Sequence, residues 1–127
     1  MNSASSPPIV SAGHVGPIAL NNTNKTLAVI NLSAGKWLVT GKMWADSVAS
    51  QPTINTVVGC SMFKGSTLLD ASAFNTPKVG GAGGTSAGVE DLSAVIKTTT
   101  PVKVTLRCDD FGSMAQSHNA VLTAIGG

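Results

Sequence analysis

The chain has 127 residues, of which 43% are hydrophobic and only 11% are charged, and its net charge is +2. Its eight Lys and Arg residues are scattered singly, so no basic run would follow a phosphate backbone and we expect no nucleic-acid partner. No apolar stretch is long enough to cross a bilayer, so we expect no membrane partner either. Globular domains usually carry about a quarter charged residues. The low charge here is typical of a surface that packs against copies or neighbours.

The first residues predict a flexible arm. Residues 1–8 are small and polar and end in Pro7 and Pro8, with nothing to bury. We take residues 1–16 as this arm and the segment leading into the fold, and residues 17–127 as one domain. The start lacks the basic region and apolar core of a signal peptide, so we expect either synthesis in a cytoplasm or prior removal of a leader.

Short strand-like segments, separated by clusters of Gly, Pro, Asn and Ser, then follow one another along the chain. The predicted strands are Ile9–Leu20, Thr26–Leu32, Lys36–Trp44, Thr56–Phe63, Leu68–Phe74, Val89–Thr99, Val102–Cys108 and Ala120–Ile125. No stretch of ten residues has convincing helical periodicity. The pattern predicts an all-β fold, an antiparallel sandwich or jelly roll.

Three polar or glycine-rich segments are predicted to be loops. They are Asp46–Asn55, the glycine-rich Lys78–Gly88, and Asp109–Asn119. The Lys78–Gly88 segment lacks the Lys-Ser/Thr of a phosphate-binding loop.

The two tryptophans are expected to lie on opposite faces of one strand. Trp37 and Trp44 are an odd number of residues apart, and successive strand side chains alternate between faces. We expect Trp37 in the core and Trp44 at a contact with another subunit or partner.

Cys60 and Cys108 each lie on the apolar side of a predicted strand. Two interpretations stay open. The pair is either two buried thiols that act as small hydrophobes, or a disulfide between neighbouring strands, depending on the redox compartment. A zinc site is disfavoured, because the sequence has no C-x-x-C pair and no His cluster.

The sequence favours no enzyme. A Ser-His-Asp set can be drawn with His118, Asp109 and Asp110, but serines are so frequent that this carries no weight, and no G-x-S-x-G elbow is present. We therefore expect no catalytic residue, no cofactor and no metal ligand.

Four segments together resemble a known family. They are Gly35–Trp44, Val58–Met62, Val102–Cys108 and Ala120–Ile125. In order and strand position they resemble the jelly-roll modules of actinobacterial and actinobacteriophage proteins, which are similar to the tumour-necrosis-factor and complement globular domains. The resemblance covers roughly residues 17–127. It implies a homotrimer, and it implies roles as ligand-binding heads, fibre tips or capsid decoration proteins.

Our first functional hypothesis is a non-enzymatic virion protein, a trimeric decoration (cement) protein that stabilises a phage capsid. It would be made in the host cytoplasm, and its partners would be itself and the major capsid protein or other virion subunits. The arm, with Pro7, Pro8 and Ile9, would contact a neighbouring subunit.

The alternative hypothesis is a binding head, either a phage fibre tip or a secreted module that recognises a ligand or glycan. The three predicted loops would then carry recognition. Trp44 and His118 would supply the stacking and polar contacts.

Overall fold

The computed structural model describes residues 8–20, 23–47, 56–76, 87–111 and 115–127. These form eight strands: β1 (Ile9–Ala19), β2 (Lys25–Leu32), β3 (Gly35–Ser47), β4 (Thr56–Lys64), β5 (Thr67–Thr76), β6 (Ala87–Thr98), β7 (Val102–Phe111) and β8 (Ala115–Gly126). Within these ranges no helix is long and apolar enough to cross a membrane.

The strands form two antiparallel four-stranded sheets. Sheet A has the order β1-β8-β3-β6, and sheet B has the order β2-β7-β4-β5. Only β4 and β5 are joined as a hairpin within one sheet, and every other connection crosses between the sheets. The chain thereby winds around the sandwich as a jelly roll, which confirms the predicted fold class.

Alternation along each strand decides which side chains enter the core. In β3, Trp37, Val39 and Met43 are buried, whereas Leu38 and Trp44 point outward. The predictions that the two tryptophans lie on opposite faces and that Trp37 belongs to the core are confirmed. Trp37 also satisfies its indole N–H, which donates to the backbone oxygen of Ser33 at 2.9 Å.

The core lies between the sheets and draws on both. Burying aliphatic side chains of this size stabilises a fold by about 1.5–3 kcal/mol each. The largest fully buried apolar side chains are Leu20, Leu32, Trp37, Val39, Met43, Val58, Met62, Val104, Leu106 and Leu122.

Several predicted boundaries differ from the structure. The segment Asp109–Asn119 is not a polar loop, because β7 continues to Phe111 and β8 begins at Ala115. Likewise Asp46 belongs to β3 and Gly88 to β6. Polar residues remain extended here because sheet partners satisfy their backbone groups, which local sequence does not reveal. Most of Lys78–Gly88 lies outside the described residues.

The first strand crosses the boundary that we expected at residue 17. β1 pairs with β8 from Ile9 onward, with an irregularity between Val15 and Ile18 at Gly16-Pro17. Gly16 has a φ of 96°, a conformation that suits glycine. The sheet therefore begins at Ile9.

Cys60 and Cys108 lie directly opposite each other on β4 and β7. Their Cα atoms are 4.1 Å apart, and the two sulfur atoms are joined in a disulfide. Both side chains are buried, at 2% and 0% exposure. Of the two interpretations that the sequence left open, the structure has the disulfide.

Removing this bridge is expected to destabilise the fold. The two cysteines are 48 residues apart, and closing a loop of that length is worth about 4 kcal/mol in the chain-entropy model. The Cys60→Ala, Cys108→Ala double variant should therefore unfold at a lower denaturant concentration than the oxidised protein. Reductant should lower the midpoint of the native protein and leave that of the variant unchanged. Equal midpoints for the oxidised protein and the variant would contradict a stabilising bridge.

Glu90 is a charged residue inside the sandwich. It lies opposite Met43 in the sheet and is only 2% exposed. Neither carboxylate oxygen makes a hydrogen bond within the described part of the chain. Burial raises the pKa of Glu90 above its ordinary 4.5, the nearby Ser72 side chain opposes this in part, and the charge of Asp91 adds to it.

A raised pKa in the folded state means that Glu90 holds its proton more tightly when folded than when unfolded. Above pH 4.5, ionisation of Glu90 therefore reduces stability as pH rises through the folded-state pKa. We expect Glu90→Gln to be more stable than the native protein near neutral pH, and this gain should shrink below pH 4.5. Denaturant unfolding near neutral pH and below pH 4.5 measures the difference, with Asp109→Asn, at an exposed aspartate that does not affect the pKa of Glu90, as the control. A gain in stability that does not change with pH would contradict a raised pKa for Glu90.

Candidate functional site

The outward surface of sheet A, called here the outer face, is organised in cross-strand rows. The first, the aliphatic row, joins the register partners Ile9, Ile125, Leu38 and Val95 across all four strands. These side chains are 65%, 42%, 48% and 64% exposed. Single exposed aliphatics are ordinary on a protein surface, but a contiguous row indicates an interaction surface.

Two polar rows follow. The hydroxyl row consists of Ser11, Thr123, Thr40 and Ser93. The Lys42 row then contains Gly13, Val121, Lys42 and Asp91. The Lys42 ammonium lies 3.8 Å from the Asp91 carboxylate, and both side chains are largely exposed. An exposed pair of this kind contributes little to stability and leaves both charges available to a partner.

The fourth row, the Trp44 row, is largely apolar again. It consists of Val15, Asn119, Trp44 and Val89. Between it and the Lys42 row lies an open pocket of about 280 Å³, whose apolar lining includes Val15, Trp44, Val89 and Val121. Lys42 and Asn119 also line this pocket.

Trp44 contacts His118, and this brings together two of the residues predicted to meet a partner. Their ring centroids are 4.3 Å apart. His118 Nε2 is also hydrogen-bonded to Asp46 Oδ1 at 2.8 Å. Trp44 remains 38% exposed, so its ring still has surface to offer. The acidic partner of His118 is therefore Asp46.

A second histidine forms a Ser-His pair that the sequence analysis did not identify. His14 Nε2 lies 3.0 Å from the Ser117 hydroxyl, and its Nδ1 lies 3.1 Å from the Gly16 carbonyl oxygen. Because the carbonyl only accepts, Nδ1 carries the hydrogen and Nε2 accepts from Ser117 in the neutral ring. Ser117 is fully buried, so a substrate has no approach to this hydroxyl. The pair connects β1 to β8 and serves the fold.

Of the predicted arm residues, Pro8 and Ile9 lie at the opposite end of the outer face from Trp44. Ile9 begins the aliphatic row, and the Pro8 carbonyl accepts a hydrogen bond from the Gly126 N–H at 3.1 Å. Pro7 lies outside the described residues. Within those residues, no three His, Cys, Asp or Glu side chains are grouped where they could hold a metal ion.

The rows could not be derived from the sequence, although their members could be suspected. Leu38, Val95 and Ile125 each alternate with buried residues, which marks them as outward on their own strands. Their alignment depends on strand order and register, which bring residues far apart in sequence side by side. The outer face is therefore a surface that strand order and register assemble.

No protein-family model matches this chain, and no curated protein sequence matches it. The structure, however, matches solved structures of virus particles. It is similar to infectious bursal disease virus strain Gx, with a TM-score of 0.60 and 16% identity, covering 100% of this chain and 34% of that chain.

Two further structures from the same virus agree. The match to its T=1 particles has a TM-score of 0.57 and 15% identity, covering 100% of this chain and 34% of the other. The match to its VP2 subviral particle has a TM-score of 0.55 and 13% identity, covering 98% of this chain and 34% of that chain. This chain thus spans about a third of the length of the chains that it matches. At this identity the similarity shows a shared fold, a jelly roll of the kind present in virus particles.

Proposed function

We propose that this chain is a non-enzymatic structural protein of a virus particle, and more specifically a decoration protein that stabilises a bacteriophage capsid. The observation that carries this proposal is the match of the whole chain, end to end, to a jelly roll within virus particles. The buried Ser117 of the Ser-His pair also supports a role without catalysis.

The surface chemistry supports the same proposal. Large assemblies join many copies through extensive, weakly charged surfaces, and only 11% of this chain is charged. The outer face supplies contiguous apolar rows for such contacts. The disulfide fits a particle that leaves the cell, since disulfides persist in oxidising surroundings.

The finer part of the proposal is a trimer that bridges several shell subunits. The resemblance to the tumour-necrosis-factor and complement jelly rolls suggests this stoichiometry. Three copies bound together would raise their combined affinity for a shell, because each further contact becomes intramolecular after the first.

Binding to a shell tests the proposal directly. Purified protein should co-sediment with capsid shells assembled without it and should raise their disassembly temperature, because binding to the assembled form stabilises that form. Ultracentrifugation and scanning calorimetry measure the two effects. Shells that already carry a full complement of the protein are the control and should take up none. Absence of binding to shells, together with specific binding to cell-wall glycan, would replace this proposal with the binding head.

The arm can be tested separately. Deleting residues 1–7 should weaken shell binding while leaving the thermal unfolding of the isolated protein unchanged. Stability should persist because β1 starts at Ile9 and the Pro8–Gly126 hydrogen bond is kept. A variant with residues 1–7 replaced by a Gly/Ser segment of equal length controls for simple chain length. Undiminished binding by the deletion variant would show that the arm has no part in attachment.

One observation favours the alternative, a ligand- or glycan-binding head. Trp44 is partly exposed beside the open pocket, and the polar groups of Lys42, His118 and Asn119 lie near it. An aromatic ring with polar neighbours suits a sugar ring, whose faces are apolar and whose edges carry hydroxyls. This reading places the ligand in the pocket, whereas the decoration protein uses surfaces and the arm.

A further inference from the structure

The outer face has an internal symmetry that neither hypothesis uses. Consider a line that lies in the face and crosses the strands at Gly41, between Thr40 and Lys42. The aliphatic row and the Trp44 row lie at equal distances on either side of this line. The hydroxyl row and the Lys42 row lie between them. Rotating the face by half a turn about that line exchanges the two apolar rows and exchanges the two polar rows.

We propose that a second copy of this chain packs on the outer face, related by a two-fold axis that crosses the strands at Gly41. In this arrangement Leu38 faces Trp44 of the second copy, and Val95 faces Val89 of the second copy. The hydroxyl row faces the Lys42 row. A two-fold contact of this kind is self-complementary, so every pairing occurs twice.

The charges select this orientation. Lys36 and Lys97 are register partners on neighbouring strands, and both are exposed at the end of the face beyond the aliphatic row. Like charges directly opposite in a sheet are unfavourable, so this end favours an acidic partner. Asp46 lies at the other end of β3, beyond Trp44, where its side chain is 20% exposed and one carboxylate oxygen is hydrogen-bonded to His118. The proposed axis brings Lys36 to Asp46 of the second copy, whereas an axis along the strands would bring four lysines together.

The pocket provides shape complementarity. It lies where the second copy would place Leu38 and Ile125, the two central members of its aliphatic row. Those side chains are 48% and 42% exposed, and the pocket lining around Trp44, Val89 and Val121 is largely apolar. Protruding aliphatic side chains on one half of the face therefore meet an apolar depression on the other half.

The face is large enough for such a contact. Four strands spaced about 4.8 Å apart are roughly 19 Å wide, and the stretch from Lys36 to Asp46 is roughly 34 Å long. This corresponds to roughly 600 Å² on each copy and about 1,200 Å² in total, the lower end of the range for specific interfaces. Facing sheets pack about 10 Å apart with their strands aligned within about 30°, as the proposed axis would place them.

This contact goes beyond the proposed function and is tested without any shell, so its failure and that of the decoration proposal are distinguishable. We expect light scattering of the full chain to give an even multiple of the 12.7 kDa chain mass at concentrations up to about 100 µM, which covers micromolar association. Leu38→Glu should weaken association at least about tenfold. Leu68→Glu, at a 55% exposed aliphatic on β5 of sheet B, is the matched control and should not.

Charge exchange tests the relative orientation of the two copies. Lys36→Glu alone and Asp46→Lys alone should each associate less than the native chain. Mixed together, the two variants should form heterodimers. The proposed axis places the new acidic side chain at position 36 of one copy opposite the new basic side chain at position 46 of the other. Circular dichroism confirms that each variant is folded before mixing.

Three results would overturn the proposal. One is a native chain that stays monomeric or forms only trimers. Another is equal association by Leu38→Glu and the native chain. The third is a mixture of the charge variants that associates no better than either alone. A monomer whose Leu38→Glu variant loses shell binding would instead identify the outer face as the surface that meets the capsid.

Discussion

The burial of one side of every strand between two four-stranded sheets is the constraint on which the rest of this structure depends. Strand side chains alternate, so choosing the inward set also chooses the outward set. In β3, burying Trp37, Val39 and Met43 sends Leu38 and Trp44 outward. Since β3 pairs with both β8 and β6, its register carries this choice across sheet A. The outer face is thus a direct consequence of how the core is filled.

Two features inside the sandwich have opposite effects on the stability of the fold. The Cys60–Cys108 disulfide joins neighbouring strands of sheet B and restricts the unfolded chain. Glu90 lies buried on the other sheet, without a hydrogen bond to its carboxylate among the described residues, and its charged form is disfavoured. A buried carboxylate that costs stability is retained more readily in a fold that has stability to spare. The disulfide supplies part of that stability.

The proposed functions share the outer face. Its apolar rows support both the decoration proposal and the proposed two-fold contact, and the pocket beside Trp44 is the site that the binding-head alternative would use. A small, weakly charged domain suits repeated contacts of moderate size. In the proposed two-fold contact, Lys36, Lys97 and Asp46 would favour one relative orientation of the two copies. Charge patterns of this kind suppress wrong orientations more than they add affinity.

The sequence by itself determined the fold class, the inward and outward faces of β3, β4 and β7, and the place of Trp37 in the core, because alternation of apolar and polar residues is a local property. It also marked Trp44 and His118 as residues of interest. Only the tertiary structure decided that these two touch each other, that Asp46 is the partner of His118, and that Asp109–Asn119 is largely strand. It alone aligned Ile9, Ile125, Leu38 and Val95 into one row, because strand order and register join residues that are distant along the chain.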